Sequence, residues 1–249
     1  MRMNELRGYT RVQQGLKDLN TFAWADREPG PNRLAGAPPD RFDSGMPQLV
    51  RPTLEVHRSF LAAMAEFRGE GRGGVDDNSM IGSENREFGG TWGTLEGFAA
   101  YVQKIRREAD EDAPRPAGWV PCTTLWYVEG VEYLGRLAIR HRLTDSLRDS
   151  GGHIGYDVRP TARRRGYATA MLGDALPVAR ALGLDQVLVT CDTDNVASRK
   201  VIEANGGRYE DTRGNKLRYW IPTGQRTTAC RPLPGPLVGD AHQSRKPTV

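Results

Sequence analysis

The chain has 249 residues, of which 27% are charged and 38% are hydrophobic, and its formal net charge is +4. This length fits one domain with appendages or two small domains. No stretch approaches the roughly 20 apolar residues of a membrane-spanning helix, and the N-terminus lacks the apolar segment of a secretory signal. We therefore expect a cytoplasmic protein without a membrane partner. The 35 basic residues are scattered among 31 acidic ones, so the charge does not predict a nucleic-acid partner.

Three cysteines, Cys122, Cys191 and Cys230, lie far apart and lack the spacing of metal ligands. An odd number of distant thiols supports neither a disulfide framework nor a zinc site. We expect reduced thiols and no metal.

Both ends of the chain are rich in proline, glycine and charge, as in "REPGPNRLAGAPPDRFDSG". Such segments bury too little apolar surface to offset the entropy lost on ordering. We predict disordered extensions at residues 1–46 and 223–249, with a frayed helix near residues 10–22. The remaining residues, 47–222, form the predicted domain.

The first half of this domain predicts one strand and two helices. "PQLVRP" predicts the strand, and "TLEVHRSFLAAMAEFRG" predicts a helix with Thr53 as its candidate cap. The apolar residues of this helix fall on one stripe, formed by Val56, Phe60, Ala63, Met64 and Phe67. A Gly- and Asp-rich loop over residues 69–90 then leads to a second helix, "TLEGFAAYVQKIRREA", which ends before a Pro-rich break at residues 113–117.

The second half predicts six more strands and two more helices. "CTTLWYVEG" and "VEYLGRLAIRHRL" form a predicted hairpin around Glu129-Gly130, and "GHIGYDVRP" is the next strand. A helix from about Gly166 to Leu182, the strand "QVLVTC", the helix "NVASRKVIEANGG" and the strand pair "RYED" and "KLRYWI" follow. The order β-α-α-β-β-β-α-β-α-β-β predicts an α/β fold, a mixed sheet with helices on both faces. Ligands of open α/β sheets bind beyond the strand ends.

The stretch "RPTARRRGYATAML", residues 159–172, lies at such a strand end. The start of a helix offers unpaired N–H groups and the positive end of its dipole, and Gly166 and Ala168 let a phosphate approach the backbone. The alternative is a solvated basic turn. A Walker loop and a Rossmann fingerprint are excluded, because no Gly-Lys-Ser/Thr follows and the glycine triplet is missing.

Arg163-x-x-Gly166-x-Ala168, together with "TCDTDNVASRKVIEANGG" after the next strand, resembles the GNAT superfamily of acyl-CoA-dependent N-acetyltransferases. The resemblance covers roughly residues 48–221 and is closest to a bacterial branch of predicted acetyltransferases. It implies a GNAT-like fold and acetyl-CoA as the co-substrate. It also implies a set of coenzyme-binding residues: Tyr156, Val158, Arg163, Arg164, Arg165, Gly166, Tyr167, Ala168, Thr169, Asn195 and Ser198.

Within this set, the resemblance implies that residues 163–168 wrap the pyrophosphate and that the strand at residues 156–158 pairs with the pantetheine arm. Pantetheine carries two amides, so it can lie along a strand and satisfy backbone groups that two diverging strands leave unpaired. The diverging strands would be those that end at Val158 and Cys191.

Transfer of an acetyl group to an amine requires a base, because an unperturbed lysine has a pKa of about 10.4 and is protonated at neutral pH. Strand alternation places His153, Gly155 and Asp157 on one face. In the ribosomal-protein N-terminal acetyltransferase branch a glutamate stands at the position of His153. We therefore predict His153 as the base and Asp157 as the second candidate. The alternative is a structural strand histidine.

Three further residues are candidates for substrate contact: His141, Asp145 and Trp126. His141 and Asp145 are also candidates for the base. The first two could instead belong to a charged surface loop, and the tryptophan could belong to the core. The tyrosine that protonates the thiolate in many GNAT enzymes is replaced by Ile202. Cys191 could carry the acyl group, but a buried thiol is favoured.

We therefore expect an enzyme that transfers an acetyl group from acetyl-CoA to a primary amine of a small molecule or peptide, by direct attack in a ternary complex. The alternatives are a catalytically weak acyl-CoA-binding module and an acyltransferase with another acyl donor. We expect a monomer or a homodimer.

Overall fold

The computed structural model describes residues 45–77 and 79–224. The predicted extensions, including the helix near residues 10–22, lie outside this part of the chain except for their innermost residues, so the domain limits stay a prediction. None of the helices in the described ranges is long and apolar enough to cross a membrane.

Within the described residues, seven strands form one mixed sheet, in the order β1-β2-β3-β4-β5-β7-β6. The strands are β1 (Gln48–Val50), β2 (Cys122–Glu129), β3 (Glu132–Arg140), β4 (Ile154–Val158), β5 (Gln186–Asp192), β6 (Arg208–Arg213) and β7 (Lys216–Pro222). Neighbouring strands are antiparallel except β4 and β5, which are parallel. The predicted α/β fold with a mixed sheet is confirmed.

Over residues 45–77 and 79–224, five α-helices cover the two faces of the sheet. They are α1 (His57–Gly69), α2 (Met80–Phe88), α3 (Leu95–Arg107), α4 (Tyr167–Ala181) and α5 (Val196–Ala204). In α1, the predicted residues Phe60, Ala63, Met64 and Phe67 are buried along one stripe. This spacing of three and four residues gives the helix one apolar face.

Helix α2 corrects the prediction of a loop over residues 69–90. The hydroxyl of Ser79 accepts a hydrogen bond from the N–H of Gly82 at 3.2 Å and so caps the helix. Ile81 is buried against the core below. A nine-residue helix with so few apolar anchors gives little periodic signal in the sequence, and short helices depend on tertiary packing for their stability.

The alternation of side chains along the strands divides the core into two parts. One part lies between the sheet and helices α4 and α5, and includes Leu172 and Ile202. The other lies between the sheet and helices α1, α2 and α3, and includes Phe60 and Trp126. Each face of the sheet is therefore covered by its own set of helices.

The sheet opens between β4 and β5. The two strands pair in parallel only at Ile154 and Val189. Beyond this pair, residues 155–158 pair with β3 through Val158 but have no register partner on β5. The diverging strands predicted from the sequence are thus present, and the gap between them leads to the start of α4.

Candidate active site

The turn between β4 and α4 contains two residues with a left-handed backbone conformation. Arg164 and Gly166 have φ angles of 63° and 84°, and α4 begins at the next residue. A Cβ at Gly166 would meet no atom within 4 Å, so a side chain would not clash there. Glycine is favoured at this position because of the positive φ angle. N–H groups around left-handed residues and at a helix start bind anions. The turn therefore fits a phosphate group.

A cleft of about 580 Å³ lies between this turn, β4 and the start of α5. All but one of the predicted coenzyme-binding residues line it: Tyr156, Val158, Arg163, Arg164, Gly166, Tyr167, Ala168, Thr169, Asn195 and Ser198. The exception is Arg165, whose guanidinium carbon lies 4.9 Å from the centroid of the Tyr167 ring. Residues that the sequence did not single out complete the wall: Arg72, Ala162, Ala197 and Val201.

The side chain of Arg163 is engaged with other protein groups. Its two terminal nitrogens donate to the carboxylate oxygens of Glu70 at 2.7 and 2.8 Å, and its Nε donates to the carbonyl of Val158 at 3.1 Å. A bidentate pair of this kind fixes the guanidinium. Arg163 therefore holds the turn against the end of α1. The backbone N–H groups of the turn and the side chain of Arg164 are the groups left to bind an anion.

Two hydroxyl groups meet across the gap between β4 and α5. The hydroxyl of Tyr156 lies 2.7 Å from Oγ of Ser198, and Asn195 caps α5 by accepting a hydrogen bond from the N–H of Ser198 at 2.9 Å. Burial raises the pKa of Tyr156 to about 12. The phenol therefore keeps its proton at neutral pH.

Asp157 lies in the same cleft, on the opposite face of β4 from Tyr156. Its carboxylate oxygen Oδ1 accepts a hydrogen bond from a terminal nitrogen of Arg72 at 2.7 Å. The side chain of Asp157 is 15% exposed and that of Arg72 is 28% exposed. Arg72 lies in the Gly-rich segment after α1, where the sequence offers no pattern that would mark it as part of a site.

His153, the predicted base, is buried just before β4. Its Nδ1 accepts a hydrogen bond from the N–H of Leu188 at 2.9 Å, and its ring lies 6.1 Å from that of Trp220. Burial lowers the pKa of His153 to about 4, and the positive charges of Arg148 and Arg140 act in the same direction. The ring is neutral at pH 7, and the electron pair of its Nδ1 is occupied by the hydrogen bond from Leu188. This favours the alternative interpretation of His153 as a structural strand histidine.

The predicted substrate residues lie away from the cleft. His141 forms a hydrogen bond of 2.8 Å with the hydroxyl of Thr123, and burial lowers the pKa of His141. Asp145 is exposed on the segment before β4. Trp126 is fully buried and stacks on Phe60 at 5.4 Å, which contradicts its predicted contact with a substrate. Its indole fills the core under α1 and α3.

Ile202 and Cys191 are also buried. Burial raises the pKa of the Cys191 thiol, so the protonated form is favoured. Within residues 45–77 and 79–224, no group of three or more His, Cys, Asp or Glu side chains could hold a metal ion.

Comparisons with known proteins identify the family and the fold of the chain. The model of the acetyltransferase (GNAT) domain matches residues 78–208. No curated protein gives a significant match. Among solved structures, Mycobacterium smegmatis RimJ in complex with CoA-disulfide is 17% identical, with 72% of this chain and 82% of that chain covered and a TM-score of 0.50. A ribosomal-protein-S5-alanine acetyltransferase from Vibrio fischeri is 12% identical, with 74% and 96% covered and a TM-score of 0.50.

The likeness to these two structures shows the fold. The family model carries the assignment further, because it matches over half of the chain, from the segment before α2 to the start of β6. The chain therefore belongs to the GNAT family of acetyltransferases, enzymes that take the acetyl group from acetyl-CoA.

Proposed function

We propose that this protein transfers the acetyl group of acetyl-CoA to a primary amine, by direct attack of the amine in a ternary complex. One observation carries the proposal. A single cleft joins the anion-binding turn at the start of α4 to the carboxylate of Asp157 on the other face of the sheet. A coenzyme and an amine can therefore meet in the gap between β4 and β5.

The residues around the turn fit the coenzyme. The N–H groups of residues 164–168 and the side chain of Arg164 suit a diphosphate, while Arg163 positions the turn through Glu70. The part of β4 beyond Ile154 has no strand partner on the side of β5. The backbone N–H and C=O groups of this part of β4 can form hydrogen bonds with the two amides of the pantetheine arm. Without the coenzyme, water would have to satisfy these backbone groups.

Acetyl-CoA supplies an activated thioester whose thiolate is a good leaving group. We assign the base to Asp157, because its carboxylate lines the cleft while the electron pair of His153 is used inside the core. The amine attacks in its neutral form, after its ammonium group has lost one proton to Asp157, directly or through a water that passes it to solvent. As the carbon–sulfur bond breaks and the bond between nitrogen and the acetyl carbon forms, the nitrogen loses a second proton by the same route. The acidity of the nitrogen rises as this bond forms, so a weak base suffices.

The hydroxyl pair of Tyr156 and Ser198 can return a proton to the departing sulfur. Both hydroxyls line the cleft, and the raised pKa of Tyr156 keeps its phenol protonated. The pair would compensate for Ile202, which has no proton to give. Little acid strength is needed, since a thiol has a pKa near 8.5 and leaves readily as a thiolate.

Direct attack is supported over an acyl-enzyme route through Cys191. The thiol is 5% exposed, its pKa is raised by burial, and it does not line the cleft. A nucleophilic cysteine requires a lowered pKa or an adjacent base.

Calorimetry and steady-state kinetics test the proposal. Coenzyme A and acetyl-CoA should bind, and thiol release should depend on an added amine, with initial-velocity lines that intersect as a ternary complex requires. The amines should include a peptide with an N-terminal alanine, because the Vibrio fischeri neighbour is named for the alanine of ribosomal protein S5.

Tyr156→Phe and Ser198→Ala should each lower kcat by a larger factor than they weaken coenzyme binding. Parallel velocity lines would contradict direct attack. Absence of coenzyme binding would contradict the whole proposal.

A further inference from the structure

An ion pair between Arg72 and Asp157 stands inside the wall of the cleft. A terminal nitrogen of Arg72 lies 2.7 Å from Oδ1 of Asp157, and both side chains are less than one third exposed. The second charged neighbour of Arg72 is Asp77, at 4.0 Å from its Nε. The contact with Asp157 is therefore the closer one.

This pair lies on the opposite face of the sheet from the coenzyme turn. Tyr156 and Val158 pack against the core under α4, whereas Asp157 alternates to the other face. Its register partner on β3 is Arg136, which pairs with Glu84 of α2. With the coenzyme at the start of α4, the second substrate has to approach from the side of α1 and α2, where the ion pair stands.

An ordered turn presents Arg72 to Asp157. The N–H of Gly73 donates to the carboxylate of Asp77 at 2.7 Å, and the side-chain amide of Asn85 donates to the carbonyl of Gly73 at 2.6 Å. The guanidinium carbon of Arg72 lies 5.2 Å from the ring centroid of Phe67. The backbone is thus tied to α2, while the partly exposed side chain can swing away without unfolding the turn.

We propose that the guanidinium of Arg72 occupies the position at which Asp157 binds the ammonium group of the acceptor, so that the acceptor is a cationic amine that displaces Arg72. The inference rests on the proposed function. A carboxylate binds either cation through charge-assisted hydrogen bonds, so the exchange leaves the charge beside Asp157 unchanged. A neutral aromatic amine that displaced Arg72 would leave the carboxylate without a cation, which disfavours its binding.

Binding of a probe amine to the full chain saturated with coenzyme A tests this inference, because no acetyl group can be transferred there. The probe is Nα-acetyl-lysine amide, and its neutral control is Nα-acetyl-norleucine amide, which lacks only the ammonium group. Calorimetry should detect the lysine probe and not the norleucine control. Arg72→Gln should bind the lysine probe roughly two- to fivefold more tightly. The variant lacks the partly exposed ion pair that competes with the probe, and the loss of such a pair changes affinity by about this factor. Arg72→Lys keeps a competing cation and should stay near the wild type.

Arg68→Gln, at an exposed arginine of α1, is the control variant and should match the wild type. Unchanged or weaker binding of the lysine probe by Arg72→Gln would overturn the inference, and so would equal binding of the norleucine control or no binding of the lysine probe. Failure of the proposed function is distinguishable. A protein that binds the lysine probe as described but never releases thiol from acetyl-CoA would contradict the transferase reaction and leave the role of Arg72 intact.

Discussion

At the scale of the residue, one hydrogen bond changes the role that the sequence predicts for His153. Strand alternation places it on the same face as Asp157, and its side chain type suits a base. In the folded chain its Nδ1 accepts a hydrogen bond from the N–H of Leu188, and the residue as a whole is 6% exposed. A histidine committed in this way stabilises the junction of β4 and β5 and is poorly placed to take a proton from a substrate.

We predict that His153→Ala lowers the free energy of unfolding at pH 7 by about 1–3 kcal/mol, because the buried N–H of Leu188 loses its acceptor. The pKa of His153 in the folded protein is about 4, below its ordinary value of 6.5, so the unfolded chain binds the proton more readily. The stabilisation from the neutral ring is therefore complete above pH 6.5 and is lost as the pH falls toward 4.

Urea denaturation of wild type and His153→Ala at several pH values measures this difference. The gap between the two proteins should narrow as the pH falls from 6.5 to 4. Unchanged stability together with a large fall in kcat would instead identify His153 as the base.

At the scale of elements, the end of α1 and the turn before α4 form one unit. Glu66 pairs with Arg159 and accepts hydrogen bonds from Thr161, while Glu70 pairs with Arg163. Burial by itself would raise the pKa of Glu66, but the hydrogen bonds from Arg159 and Thr161 lower it below its usual value. These contacts tie a helix on one face of the sheet to the start of a helix on the other, so the anion-binding turn has a fixed shape.

The glycine of this turn provides a graded test. Gly166→Ala should weaken coenzyme A binding moderately, because a residue with a Cβ pays roughly 1–2 kcal/mol in the left-handed conformation at φ 84° although the space beside it is open. Gly166→Glu adds a bulky anion where the diphosphate would lie, and should abolish binding while the protein stays folded.

Calorimetry with coenzyme A measures both variants, and circular dichroism checks the fold. Gly183→Ala is the matched control, since Gly183 also has a positive φ and open space but lies outside the cleft. Normal coenzyme affinity in Gly166→Glu would remove the diphosphate from this turn.

At the scale of the whole molecule, both parts of the core lie between Leu49 and Ile221. Thr223 adds a last anchor, as its N–H donates to the carbonyl of Asp185 at 3.0 Å. We therefore predict that a fragment of residues 45–224 unfolds cooperatively and binds coenzyme A as tightly as the full chain. Denaturation and calorimetry check this expectation. A fragment that is unfolded, or that has lost more than tenfold in affinity, would show that the terminal segments belong to the domain.

The sequence by itself determined the strands, most of the helices and the glycine turn before α4 of this protein. Apolar periodicity predicts α1, and the glycine after three arginines predicts the turn, because these signals are local and depend on neighbouring residues only. The sequence did not predict helix α2, because its nine residues show little apolar periodicity.

The tertiary structure alone decided the partners of each side chain. Arg72 and Asp157 are 85 positions apart in the chain, and no local pattern can pair them. Burial of His153 and Trp126 likewise follows from packing across the sheet. Composition and spacing fix which groups a segment can offer, but hydrogen bonding and desolvation after folding fix which of those groups remain available for chemistry.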